Sequence, residues 1–358
     1  MAGSVLGTIF RVMTWGESHG KGIGVTIDGC PAGLSLQEED IQQYLNRRKP
    51  GQSRLTTGRQ EGDQVEILSG VFEGKTTGTP IALAVRNLDQ RSRDYRAIMD
   101  VYRPGHADYC FDAKYGFRDY RGGGRSSGRE TAGRVAAGAV ACRLLAHYGI
   151  RVDAYTKSIG RIEADPGRFD LAERENNRLY MPDAVAAAEA EAYVEELIRE
   201  QDSCGGIVEC RIRGLPAGVG EPVFDKLDAC LAKAVMSVGA VKGVEIGDGF
   251  AAARSRGSEN NDAFYRGADG TVRKKTNHSG GILGGISDGD DIILRAAFKP
   301  TPSIARQQQT VNRAGEDVEI EVKGRHDPVV VPRAVVVVEA MAALTVADLL
   351  LMGRCAKL

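Results

Sequence analysis

The segment from Ala334 to Met352 is the most apolar stretch of this chain, and two acids interrupt it, Glu339 and Asp348. That reads as a helix buried in protein rather than a membrane span, which needs about 20 residues with few or no charges. A helix of this kind needs a core around it. At 358 residues the chain can bury a large one, as one domain or two. Pro332 stands where a helix start tolerates proline, and the final helix follows it.

Elements of both kinds come before it. Residues 5–12 alternate towards a strand, and 24–28 read as another. Ser35-Leu36-Gln37-Glu38 fits a capping box that starts a helix to about Arg48, where Pro50-Gly51 stops it. Residues 64–68 and 81–85 read as strands. Residues 129–148 are Ala-rich with helical spacing and end at Gly149. Pro182 opens a helix through Glu200, 208–212 is a strand, 224–236 a helix and 291–298 a strand. The order mixes strands and helices without strict βα alternation. It predicts an α+β fold with antiparallel sheets rather than a doubly wound parallel sheet. With no low-complexity linker and no solenoid repeat, residues 1–358 are expected to form a single compact domain.

Charge is nearly balanced, 47 Lys plus Arg against 48 Asp plus Glu, which argues against a general polyanion binder. The arginines are concentrated locally instead. Arg47, Arg48, Lys49 and Arg54 form one cluster; Arg103, Arg118, Arg121, Arg125, Arg129 and Arg134 form another. The seven cysteines are irregularly spaced with no C-x-x-C pair, so they read as reduced thiols rather than disulfides or a zinc site. The N-terminus lacks a charged-then-apolar signal pattern, and the expected location is the cytoplasm, with no membrane and no nucleic-acid partner.

From Tyr120 to Thr131 the chain interleaves Arg121, Arg125 and Arg129 with Gly122, Gly123, Gly124 and Gly128, then opens into the 129–148 helix. Gly lets the backbone approach a ligand closely, Arg offers a planar fork of donors, and a helix start adds partial positive charge. Three readings compete. One is a solvated loop. Another is an arginine–glycine segment for RNA, but such segments are usually repeated and disordered, and this one occurs once beside a helix. The third is an anion site built into a folded domain, and the run favours it.

Five histidines occur. His19 lies in Gly16-Glu17-Ser18-His19-Gly20, a match to the G-x-S-x-G nucleophile elbow. The elbow needs a strand before it and a helix after it, whereas the sequence here leads into another strand. His19 reads equally as a satisfied loop residue or an acid/base group. His106 sits in Arg103-Pro104-Gly105-His106-Ala107-Asp108, where an anion bound by Arg103 would favour the protonated imidazole; the plainer reading is a loop histidine bonded to Asp108. His278 precedes two Gly pairs that suit backbone against a flat ligand or tight packing. His326 adjoins Asp327, a possible base or orienter, or else a cap before the Pro332 helix. His147 fits a helix C-terminus. No group has metal-ligand spacing; Asp288, Asp290 and Asp291 lack an EF-hand pattern, and no catalytic metal is expected. Spacing alone ends at an enzyme acting on a small polyanion through His acid/base groups.

Taken together, Gly16 to Gly20, Arg103 to Asp108, Tyr120 to Thr131, Gly243-Val244-Glu245-Ile246-Gly247, Asn277 to Gly285 and Gly324-Arg325-His326-Asp327-Pro328 resemble the chorismate synthase family, over about residues 1–350. The resemblance implies a lyase of the shikimate pathway. It would convert 5-enolpyruvylshikimate 3-phosphate to chorismate and phosphate by 1,4-anti elimination, with reduced FMN required and no net redox change. It implies a β-α-β sandwich, with helices between antiparallel sheets, assembled as a homotetramer.

By motif, His19 is expected near the flavin and His106 near the leaving phosphate as acid. Asp327 would assist ring deprotonation. Arg48, Arg54, Arg103 and Arg129 are expected to hold the substrate anions. Arg125, Ser126, Ser127, Gly239, Ala240, Gly284, Lys299, Pro300, Thr301, Pro302, Ser303 and Arg325 are expected to hold FMN. Gly239 replaces a frequent Asn, so a flavin contact there would use backbone. Pro302 replaces a usual Ser or Thr and loses an N–H and a hydroxyl. The family includes members that reduce their own flavin with NADPH. The chain's length leaves no separate reductase domain, pointing to the kind that depends on an external reductant.

Overall fold

The computed structural model describes residues 3–51, 55, 61–88, 99–322 and 327–357. Two five-stranded sheets form its outer layers. In the first, the strand order is Val5–Leu6, Arg11–Gly16, Gly22–Asp28, Ile81–Arg86, Val65–Ser69, antiparallel throughout. In the second it is Val241–Ile246, Ile292–Phe298, Gly206–Arg213, Arg151–Ile159, Ile162–Glu163, again antiparallel.

The inner faces follow the period of two. Ile23, Val25 and Ile27 are buried on one sheet; Val208, Cys210, Ile212, Ile292, Leu294 and Ala296 are buried on the other. Between the sheets lie helices α1 (Glu38–Arg48), α3 (Thr131–His147), α5 (Leu227–Met236) and α7 (Val331–Met352). Helices α2 (Asp108–Tyr115), α4 (Ala184–Arg199) and α6 (Gly257–Asn260) complete the set named here. Helix α3 packs on the first sheet, α7 on the second, and the two pack on each other. This is the expected α+β sandwich, helices between antiparallel sheets.

The composition of the two central helices follows from this sandwiching. Gly138 of α3 meets Ala340 of α7 so closely that a Cβ on Gly138 would lie 2.3 Å from that of Ala340. Large residues there would push the layers apart. Helix α7 is long and apolar enough to cross a membrane, yet it lies inside the core. Its two acids are accommodated by specific partners. Glu339 accepts both terminal nitrogens of Arg47, at 2.8 and 3.0 Å, and the Ala154 N–H at 3.2 Å. Asp348 accepts the N–H groups of Thr8, Ile9 and Phe10 at 2.7–3.0 Å. Those three donors are therefore turned away from strand pairing, which is why the expected 5–12 strand is split into Val5–Leu6 and Arg11–Gly16.

Other boundaries moved for equally local reasons. The capping residue of α1 is Gln37, whose N–H donates to Asp40 Oδ2, while Ser35 bridges to Lys75 instead. Asp183, not Pro182, caps α4 by accepting from Val185 and Ala186. Helix α5 begins at Leu227, leaving Phe224 exposed in the preceding turn.

Candidate active site

The strand Arg11–Gly16 runs into the turn that carries Ser18 and His19, and the strand Gly22–Asp28 leaves it. Gly20 N–H donates to Glu17 O at 3.1 Å and closes the turn. A strand rather than a helix follows, so the nucleophile-elbow reading of Ser18 is overturned. His19 is buried, with Nδ1 3.0 Å from Ser18 Oγ. Asn87 grips both ends of the turn, its Nδ2 donating to Glu17 O at 3.0 Å and Gly20 O at 2.9 Å. From the other side the glycine-rich run reaches the imidazole. Gly122 has φ +72°, and a Cβ there would lie 2.3 Å from His19 Cε1.

Asn87 Oδ1 in turn accepts from Arg129 Nε at 2.8 Å. Arg129 also pairs with Asp63 Oδ1, and Arg48 NH1 donates to Asp63 Oδ2 at 2.9 Å. Arg48 spends its other nitrogens on Thr131 Oγ1, at 3.1 Å, and Gly128 O, at 2.8 Å. The Asp63 side chain is 0% exposed and the Arg48 side chain 2%. Burial acts to raise the Asp63 pKa, but the charges and hydrogen bonds of Arg48 and Arg129 outweigh it and hold the carboxyl below its usual range. Burial pushes Arg48 down to about 9, so both remain charged at neutral pH. Glu61 lies 4.0 Å from Arg129 and accepts the Leu88 N–H.

Asp327, just before α7, joins this network through Arg333 of that helix. Arg333 NH1 lies 2.5 Å from Asp327 Oδ2, and Arg333 Nε donates to the Arg48 carbonyl at 3.2 Å. Cys204 N–H donates to Pro328 O, and neighbouring Ser203 Oγ donates to Thr301 O at 2.7 Å. Through these residues the Arg48 end of the network connects to the 299–303 stretch.

That stretch is where His106 sits. Its Nδ1 lies 2.9 Å from Pro104 O, a pure acceptor, so Nδ1 carries a proton. Nε2 faces Ser303 Oγ at 2.8 Å. Lys299 Nζ donates to Gly105 O at 3.0 Å, and Lys299 N–H donates to Ala240 O at 2.9 Å. Burial and the neighbouring Lys242 lower the Lys299 pKa. Pro302 packs against Gly105. Asp108 takes Arg103, not His106. Arg103 Nε and NH2 bond its two oxygens at 2.7 and 2.8 Å. Burial raises the Asp108 pKa, and the Arg103 hydrogen bonds and charge bring it below its usual value.

The remaining expected site residues are spread more widely. Arg125 turns to the edge of the first sheet, bonding Gly16 O, Thr14 O and Thr14 Oγ1 at 2.7–3.1 Å. Ser126 Oγ bonds Gly123 O and Ser127 Oγ accepts the Arg129 N–H, so both hydroxyls shape the loop. A run bonded in this way is folded, unlike a disordered RNA-binding segment. Gly239 and Gly284 are exposed, with open space where a Cβ would stand. Among the described residues no hydrogen bond joins Gly284 to the rest. Arg54, Arg325 and His326 lie outside the described residues.

A family model described as chorismate synthase matches residues 10–351. The chorismate synthases of Agathobacter rectalis and Lachnospira eligens are each 64% identical over 358 residues, covering 100% of this chain and 97% and 98% of theirs. A crystal structure of chorismate synthase is 35% identical, covers 97% of this chain and 93% of its own, and superposes with a TM-score of 0.77. The chain belongs to the chorismate synthase family. It is accordingly a phosphate-eliminating lyase of the shikimate pathway, acting on a small-molecule substrate, in a family that needs reduced flavin.

Within this chorismate synthase fold, several residues escaped the sequence reading. Asp63, Glu61 and Asn87 do the work of joining the arginines to the His19 turn, and each lies far from its partners in sequence. Arg333 did carry a signal: a cation in the first turn of a helix opposes the macrodipole and needs a compensating partner, here Asp327.

Proposed function

We propose that this chain converts 5-enolpyruvylshikimate 3-phosphate to chorismate with reduced FMN bound by the 299–303 stretch, as one chorismate-synthase-like domain in a cytoplasmic homotetramer. The observation that carries the reading is the unbroken path of contacts from the His19 turn through Asn87, Arg129, Asp63 and Arg48 to Asp327 and the 299–303 stretch. The residues present fit a phosphate-bearing flavin. Among the described residues, buried Thr301 Oγ1 has no hydrogen-bond partner and is a donor suited to an incoming acceptor. Lys299 adds a cation, and Gly239 leaves backbone open for close approach.

When bound, reduced flavin supplies the electron density that expels the phosphate. His106, fixed between Pro104 O and Ser303, delivers a proton to the leaving phosphate. His19 holds a proton beside the flavin. Asp327, oriented by Arg333, assists removal of the ring proton, and the arginines position the carboxylates. Each acid/base group is worth about 10²–10⁴-fold in rate.

The test is anaerobic incubation with substrate and chemically reduced FMN, following chorismate absorbance and released phosphate. Equal amounts of both, with none in oxidised FMN, support the reading. His106→Ala should then lose at least about 100-fold in kcat. Replacing the chemical reductant with NADPH asks whether the chain reduces its own flavin; no turnover is expected. Folded protein that forms neither product would refute the assignment.

A further inference from the structure

We infer that Asn87 is a positioning residue for the reaction, holding the His19 turn against the buried arginine pair. The inference rests on the reading of His19 as a proton-handling group beside the flavin. Asn87 follows the strand Ile81–Arg86, and its own N–H donates to Lys21 O at 3.2 Å, so its backbone is tied to the chain just after the turn. Its side chain makes three hydrogen bonds, with both Nδ2 hydrogens in use. Arginine only donates, and carbonyls only accept, so the amide has one possible orientation: Oδ1 towards Arg129 Nε, and Nδ2 towards Glu17 O and Gly20 O. These two carbonyls bracket Ser18 and His19. Gly122 lies against the imidazole itself. Movement of the Arg129–Asp63–Arg48 group therefore reaches the His19 turn directly through this amide.

Asn87→Asp keeps the size and the acceptor facing Arg129. It removes both donors and sets a carboxylate oxygen against a carbonyl, which loosens the turn. The first expected result is a kcat lower by about 10- to 100-fold with KM changed less than about threefold, since misplacement of a catalytic group by about 1 Å costs about 10²-fold. The second is that His19→Ala combined with Asn87→Asp is no slower than His19→Ala alone, because Asn87 acts through His19. Asn87→Ala, measured in parallel, should behave the same way. A merely structural residue would lower thermal stability and add its loss to that of His19→Ala. A third readout is independent of turnover. With five histidines in the chain, the His19 ring resonance is identifiable by its absence in His19→Ala. It should shift in Asn87→Asp while those of His147 and His278 stay in place. Unchanged kcat, additive losses in the double variant, or an unmoved His19 resonance would each overturn the inference. A wild-type protein that makes no chorismate would instead refute the functional reading and leave the resonance test standing.

Discussion

Replacing Asp63 by Asn isolates the charge at the centre of the arginine network. Asp63 has φ +47°, a left-handed backbone that Asn adopts about as readily as Asp, so the substitution adds no backbone strain. The change leaves Arg48 and Arg129 buried together. An amide can accept from one guanidinium, but its NH₂ then faces the other, donor against donor. Removing one partner of a buried ion pair costs about 3–5 kcal/mol. With an unfolding entropy of about 2.1 cal/mol/K per residue over 358 residues, that corresponds to a fall of about 4–7 °C in Tm. The pH dependence has a definite sign. The two guanidiniums hold the Asp63 pKa below its usual value despite burial. The carboxylate's contribution is therefore present in full above the unfolded-state pKa of about 3.9, and is lost as pH falls through the lower folded-state value. Urea denaturation of both proteins at pH 7 and again near pH 3 reads it out: the gap between them should be wide at pH 7 and narrower in acid. A difference below about 1 kcal/mol at pH 7, or one that widens in acid, would refute the reasoning.

Three further perturbations test other parts of the structure. Gly122→Ala forces a methyl group against the His19 ring from a left-handed backbone, and should lower kcat by about 100-fold; retention of normal turnover would show that the ring is not held there. Asp348→Ala strands the buried Phe10 N–H at about 1–3 kcal/mol and leaves those of Thr8 and Ile9, on exposed residues, to water. Urea denaturation should show a loss of at least about 1 kcal/mol, with faster hydrogen exchange at Thr8, Ile9 and Phe10. Gly138→Ala places its methyl 2.3 Å from Ala340 Cβ, an overpacking expected to cost about 1–3 kcal/mol without changing KM.

Local patterns made the two central helices legible, because α3 and α7 carry their periodicity and end signals within one stretch of chain. The nine-residue strand Arg151–Ile159 gave no such signal. Its residues include Asp153, Lys157 and Ser158, and its burial comes from α7 and the neighbouring strand Gly206–Arg213 rather than from its own apolarity. The site divides in the same way. His19, His106, Arg48, Arg129 and Lys299 stand in recognisable motifs. Asp63 does not, since its role exists only once residues 48 and 129 are brought to either side of it. Asp108 shows how a local reading misassigns partners: it lies two residues from His106, yet the fork geometry of Arg103 fits its carboxylate better.

The sequence clusters of arginine suggest a strongly positive pocket, but among the described residues the charges around Arg48 and Arg129 are balanced. Two guanidiniums there face two carboxylates, Asp63 and Glu61, and Arg333 is matched by Asp327. This balance avoids an uncompensated buried charge, which would cost several kcal/mol per ion. It also fixes the arginine rotamers before any ligand arrives, so less side-chain entropy is lost on binding. On the proposed reading, Lys299 and histidines that can gain a proton add to what the arginines offer a polyanionic substrate. On the proposed role of His106, binding and catalysis become one property: a phosphate beside the ring would favour the imidazolium, and the imidazolium is the form able to protonate that phosphate as it leaves.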